Sequence, residues 1–126
     1  ASHSNARGAC FHLRNLSDEM IRQLAERGGV TGINFCPSFL REEEPAAKKA
    51  STMDMVRHMK YLRNVGGIDI IGLGTDFDGF SGETDVPDTA HMQHLADVMS
   101  HDGFTDEEIE KVFSKNVLRV FRECWK

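Results

Sequence analysis

The stretch from Ile68 to Gly79, Ile-Asp-Ile-Ile-Gly-Leu-Gly-Thr-Asp-Phe-Asp-Gly, constrains the fold more than any other part of the chain. Its first half is a short apolar run rich in β-branched residues, the pattern of a strand buried on both faces of a parallel sheet. Its second half ends that strand in two carboxylates, Asp76 and Asp78. In extended backbone these two residues point the same way, and Gly72, Gly74 and Gly79 allow other backbone or a ligand to come close. The ends of such strands are where α/β proteins keep their chemistry. The same letters also read as a polar turn, because Asp and Gly are common turn residues. A phosphate loop is rejected: the third glycine is missing at the required spacing, and Asp76 would repel a phosphate.

The rest of the chain alternates around this stretch. Ala1 to Arg14 has no helical period and opens on Ser2-His3-Ser4-Asn5, the last residues of a strand. Ser17 caps a first helix with Asp18 and Glu19 in its first turn and an apolar stripe of Leu16, Met20, Ile21 and Leu24, stopped by Gly28-Gly29. Val30 to Phe35 reads as a second buried strand with Asn34 near its exit. The acidic run Glu42-Glu43-Glu44 reads as solvated surface. Ser51 or Thr52 caps the next helix, lined by Met55, Val56, Met59 and Leu62 and ended by Gly66-Gly67 just before the strand at Ile68. A loop from Gly79 to Pro87 is long enough to cover a site. Two helices follow, the first from Thr89 and the second from the capping box Thr105 to Glu108, with Ile109, Val112, Phe113, Val117, Val120 and Phe121 as its core-packing stripe.

This order implies an α/β fold of right-handed βαβ units on a parallel sheet. Only about two and a half strands are present, few for a sheet that needs both faces covered. Three polar clusters fall at successive strand ends: His3, Asn34, and Asp76 with Asp78. In a closed barrel those ends share one mouth.

Composition narrows the function. With 40% hydrophobic and 28% charged residues the chain is of ordinary globular make-up, and its net charge of -5 without a basic cluster disfavours nucleic acid as a partner. Cys10, Cys36 and Cys124 are odd in number and form no CxxC pair, which fits a reducing compartment and gives cytoplasmic as the expected location. The sequence leaves an upstream signal or anchor open. Self-association is left open as well.

Imidazole suits zinc, and a carboxylate beside a metal site can take or give the proton in hydrolysis, so His3 with Asp76 is a candidate metal-assisted site. A strand-end histidine held by hydrogen bonds is the competing reading of His3. Arg14 could clamp a substrate carboxylate or pair with a surface acid. His58 lies within a helix, His12 is undecided, and the His91–His94 pair reads as solvated surface. Ser2 and Ser4 are expected to face away from His3, as alternate residues of a strand do, and no GxSxG elbow supports a serine nucleophile.

Taken together, Ser2-His3-Ser4-Asn5, Arg14-Asn15, Gly74-Thr75-Asp76-Phe77-Asp78-Gly79 and Asn116-Val117-Leu118-Arg119-Val120-Phe121 resemble the membrane (renal) dipeptidase family in motif order and approximate spacing, over nearly the whole chain. The resemblance implies a (β/α)8 barrel of the amidohydrolase type that hydrolyses dipeptides at a two-zinc centre. It implies that His3 ligates one zinc ion, that Arg14 binds the free carboxylate of the dipeptide, and that Asp76 carries the proton. Asn34 and Asp78 would support the substrate pocket. The family's His-x-Asp pair, its bridging Glu and its other zinc His match no residue here. Residues 1–126 therefore resemble the C-terminal portion of a single barrel domain, one that needs the N-terminal strands from the same or another chain. The competing expectation, of another class, is a catalytically inactive domain that folds alone as a scaffold or binding module.

Overall fold

A computed structural model describes residues 1–43 and 45–126; Glu44, within the acidic run, lies outside the described residues. Helix α1 (Asp18–Glu26) begins at Ser17, whose side chain accepts from the Met20 N–H. It leads to strand β1 (Thr31–Asn34), all four residues of which are buried. A one-turn helix α2 (Pro37–Leu40) follows, then the two-residue strand β2 (Lys49–Ala50) and helix α3 (Thr52–Gly66). Ser51 closes a capping box with Asp54 at the start of α3, which ties down two otherwise unpaired N–H groups. Strand β3 (Ile71–Thr75) runs parallel to β1, with Thr31 beside Ile71 and Gly32 beside Gly72. Strand β4 (Glu83–Thr84) pairs in parallel with β2. Helix α4 (Met92–His101) and helix α5 (Asp106–Glu110) come next, and a π turn over Lys111–Lys115 joins α5 to helix α6 (Asn116–Cys124). Among the described residues no helix is long and apolar enough to cross a membrane.

The buried core gathers Ile21 from α1, Ile33 and Phe35 at β1, Ile71 from β3, and Met55, Val56, Met59 and Leu62 from α3. The α3 stripe expected from the sequence is thus wholly buried, and the methionines fill the space between helix and strands. Leu95 and Met99 of α4 and Val112 of the π turn join it, with Leu40, Val86 and Phe104.

Four local expectations need correction. The strand expected from Ile68 starts at Ile71, because Ile68–Ile70 form a 3-10 turn after Gly67, whose φ of 88° suits glycine. Asn116 stabilises that turn, donating from Nδ2 to the carbonyls of Ile68 and Ile71 at 2.8 Å each. The helix expected from Thr89 opens as a 3-10 turn over Thr89–His91, capped by Asp88, and becomes α-helical at Met92. The last helix is not continuous: the π turn shifts its register so that Asn116 is buried and turned toward the start of β3. Phe121, expected in the core, is half exposed. A two-stranded sheet is too narrow to cover α6, and an apolar groove lined by Val30, Leu73, Val117, Val120 and Phe121 stays open beside it.

Among the described residues His58 is the one histidine of the core. The Ala6 N–H donates to its Nδ1 at 3.2 Å, and Nε2 lies 3.1 Å from the Leu40 carbonyl, so the neutral ring with a proton on Nε2 satisfies both partners. Burial pushes its pKa down from 6.5 to about 4. The unfolded chain therefore takes up this proton first as pH falls, so stability is complete above about pH 6.5 and declines toward pH 4; the drop from 6.5 to about 4 corresponds to roughly 3 kcal/mol. Urea midpoints measured from pH 7 down to pH 4.5 should fall, and His58→Leu should flatten that slope. An equal slope in both proteins would contradict this role.

Candidate functional site

Parallel pairing brings the exits of β1 and β3 to one level, with a register shift between Ile33 and Asn34 that sets Asn34 opposite Thr75. Asn34 is fully buried, and four hydrogen bonds fix it. Its backbone N–H donates to Asn5 Oδ1 at 2.8 Å, and Asn5 Nδ2 donates to its carbonyl at 2.9 Å. The carboxamide of Asn5 thus pairs with β1 as the backbone of a neighbouring strand would. The side chain of Asn34 accepts from the Cys36 N–H at 2.8 Å and donates from Nδ2 to Asp76 Oδ2 at 3.1 Å.

The segment after β3 is not extended, which corrects the expectation that Asp76 and Asp78 point the same way. Thr75, Asp76 and Asp78 have φ of 28°, 65° and 65°. The Gly79 N–H donates to the Asp76 carbonyl at 2.9 Å and closes a tight turn. Asp tolerates left-handed backbone better than most residues, yet such conformations cost on the order of 1–3 kcal/mol each and persist only where the surroundings hold them. The Asn34 bond and the edge-on packing of Phe77 against Phe35, 5.6 Å between ring centroids, do so here. The turn parts the two carboxylates. Asp76 is half-buried against Asn34, whereas Asp78 is exposed and lines a different cleft of about 250 Å3 with Phe77, Phe80 and Pro87.

His3 is half-buried, and its backbone crosses directly over β3. A methyl group built on Gly74 would overlap the Ser2 carbonyl oxygen and lie 2.9 Å from His3 Cα, so glycine is required for the approach. The chain bends at His3, which brings Ser2 Oγ to 2.7 Å from His3 Nδ1, contrary to the expectation that Ser2 faces away. In the tautomer with a proton on Nδ1, that nitrogen donates to Ser2 and Nε2 keeps the lone pair a metal needs. One imidazole is not a zinc site, which takes three or four protein ligands. Among the described residues no three His, Cys, Asp or Glu side chains are grouped to hold a metal ion. The described residues do not by themselves make a complete metal centre.

Arg14 is exposed, its guanidinium carbon 5.7 Å from the ring centroid of Phe39 in α2. The ring of His12 lies against the same Phe39 at 4.6 Å, and His12 Nδ1 accepts from the Arg14 N–H at 3.1 Å. No described carboxylate lies within salt-bridge distance of Arg14, so its charge is available to an anion. The Phe39 carbonyl accepts from Asn15 Nδ2 at 2.9 Å and from Asn5 Nδ2 at 3.4 Å, which ties the Arg14 platform to the Asn5–Asn34 pair. Sequence reasoning left His12 undecided, gave Asn5 no role of its own and did not single out Phe39. A polar residue immediately after a strand end was the available signal for Asn5; Phe39 offered none. His91 and His94 are exposed and face Asp88 and Asp85, as their reading as solvated surface required. Burial, with Glu42 adding, pushes the Cys10 thiol up and away from thiolate chemistry.

Comparison with known proteins assigns the α/β chain to a family. Residues 1–125 match the membrane dipeptidase family, peptidase family M19. The chain is 35% identical over 125 residues to an uncharacterized protein in the pqqA 5' region of Klebsiella pneumoniae, covering 99% of this chain and 46% of that one. It superposes with a TM-score of 0.91 on the crystal structure of dipeptidase AC, a metallopeptidase, at 30% identity over 99% of this chain and 37% of the other. It likewise superposes with a TM-score of 0.89 on a Rhodobacter sphaeroides metallopeptidase liganded with a phosphinate mimic of the dipeptide L-Ala-D-Ala, at 30% identity over 97% of this chain and 35% of that one. The chain belongs to the membrane dipeptidase family. It spans less than half the length of each of these three proteins.

The close crossing over Gly74 gives a direct test. Gly74→Ala should cost about 1–3 kcal/mol by overpacking. It should also speed amide exchange at Ser4, whose N–H donates to the Gly32 carbonyl at 2.9 Å. Unchanged stability and exchange would show that His3 is not held by this contact.

Proposed function

We propose that this chain is the C-terminal part of a single (β/α)8 barrel that hydrolyses dipeptides with zinc, and that it supplies the proton carrier and the substrate clamp. The observation that carries the reading is the Asp76 carboxylate, held by buried Asn34 in a strained turn at the end of a parallel strand. Membership of the membrane dipeptidase family supports the reaction class. The open apolar groove beside α6 supports the need for further strands, because a parallel sheet requires cover that these two strands lack.

In this reading Arg14 receives the free carboxylate of the substrate in a two-pronged hydrogen bond, which confines the substrate to short peptides. Asp76 takes a proton from the attacking water and delivers it to the leaving amine. His3 is one ligand of a zinc centre whose remaining ligands come from outside these 126 residues. Asp78, at the rim of its own cleft, borders the pocket from the side of the 80–87 loop.

Assembled with the preceding strands, the enzyme should lose kcat by about 100- to 10,000-fold on Asp76→Asn, the usual worth of a positioned acid or base. Arg14→Met should raise KM by roughly 10- to 100-fold, from the loss of a charge-assisted bond worth about 1.5–3 kcal/mol. Steady-state hydrolysis of a dipeptide measures both. Full activity in the Asp76 variant would remove the assigned role of Asp76, and absence of hydrolysis by the unaltered assembled protein would favour an inactive scaffold.

A further inference from the structure

We infer that Asn34 is not a substrate contact but the positioning residue of Asp76, fixing which carboxylate oxygen exchanges protons. The inference rests on the reading of Asp76 as proton carrier and adds to it the group that aims the carboxylate. Asn34 is fully buried, and both ends of its amide are committed, Oδ1 to the Cys36 N–H and Nδ2 to Asp76 Oδ2. The Cys36 contact also settles the orientation of the amide, since only the oxygen can accept from a backbone N–H. Each polar atom of its side chain has a partner, and full burial keeps the second N–H of Nδ2 away from a ligand.

The anchoring is one-sided. Oδ2 of Asp76 is held, while Oδ1 lies over Gly79, where a methyl group on that glycine would overlap it. Gly79 is exposed and Asp76 half-buried, so the turn that carries Oδ1 lies at the surface. Asn34 is itself locked through its backbone by the carboxamide of Asn5, two residues beyond His3. The network Asn5–Asn34–Asp76 therefore sets the working oxygen of Asp76 relative to the segment that carries His3. Without the Nδ2 donor, nothing described on the β1 side holds a carboxylate that the left-handed turn leaves strained.

Asn34→Asp removes the donor once both facing carboxylates are ionised, so kcat is read across a pH profile that exposes any proton the pair shares. The variant keeps an oxygen for the Cys36 N–H and nearly the same shape, but replaces the Nδ2 donor with a carboxylate oxygen facing Asp76. In the enzyme assembled with its preceding strands, the expected result is a fall in kcat of about 10- to 100-fold with KM within about threefold, the signature of an interaction made in the transition state. The double variant with Asp76→Asn should be no slower than Asp76→Asn alone, because one residue acts through the other. If Asp76→Asn abolishes turnover while Asn34→Asp keeps kcat, or raises KM alone, the positioning role is overturned and the reading of Asp76 stands. If Asp76→Asn keeps kcat, the reading of Asp76 fails and this inference fails with it. If Asn34→Asp does not fold, Asn34→Ser carries the same test: lost kcat at constant KM supports the role, and retained kcat overturns it.

Discussion

The register of β1 against β3 is the constraint on which the rest of the structure depends. Parallel pairing from Thr31–Ile71 upward sets the two strand exits side by side, and the shift at Asn34 turns its amide toward the residue that follows Thr75. A slip of one residue would send the side chains of β1 to the opposite face and separate Asn34 from Asp76. The register is secured from both ends. At the N-terminal end of the strands, Asn116 clamps the turn before β3, while Arg119 donates to the carbonyls of Gly28 and Asp69, the loops that enter β1 and β3. At the exit end, the carboxamide of Asn5 takes the place of a neighbouring strand.

Asparagine recurs because it offers what backbone offers, one acceptor and a donor on a short arm, wherever a regular ladder stops. Asn5 pairs with β1, Asn34 with the turn after β3, Asn15 with the carbonyls of Cys10 and Phe39, and Asn116 with the turn before β3. All four are buried, so each bond is made in a medium where leaving it unmade is costly. These clamps let short strands end abruptly and place functional side chains on loops without leaving the backbone unpaired.

The parts of the chain that are legible from sequence are those set by local chemistry. β-branched runs mark β1 and β3, Ser17, Ser51 and Thr105 mark helix starts, and the spacing of Met55, Val56, Met59 and Leu62 marks the buried face of α3. What escaped is set by long-range contact. Asp-Phe-Asp is compatible with extended backbone or a left-handed turn, and the bond from Asn34, 42 residues away, together with the packing of Phe77 on Phe35, decides it. The two-residue pairing of β2 with β4 is too short for any period to reveal, and the π turn before α6 answers to the burial of Asn116 rather than to helix propensity. At the candidate site, His3, Asn34 and Asp76 were found as strand-end polar residues, and the structure joins Asn34 to Asp76. Asp78 is turned away because the segment takes the polar-turn alternative rather than the extended one. The aromatic platform under Arg14 was invisible because Phe39 is 25 positions further along the chain.

The proposed reading gives this chain the proton-transfer and carboxylate-binding groups of a dipeptidase but not its metal centre. Calorimetric titration of the isolated 14.1 kDa chain with zinc at neutral pH tests it most directly. The account predicts no stoichiometric tight binding, because His3 lacks companion ligands among the described residues. Binding of one or two zinc ions per chain, accompanied by dipeptide hydrolysis, would contradict it.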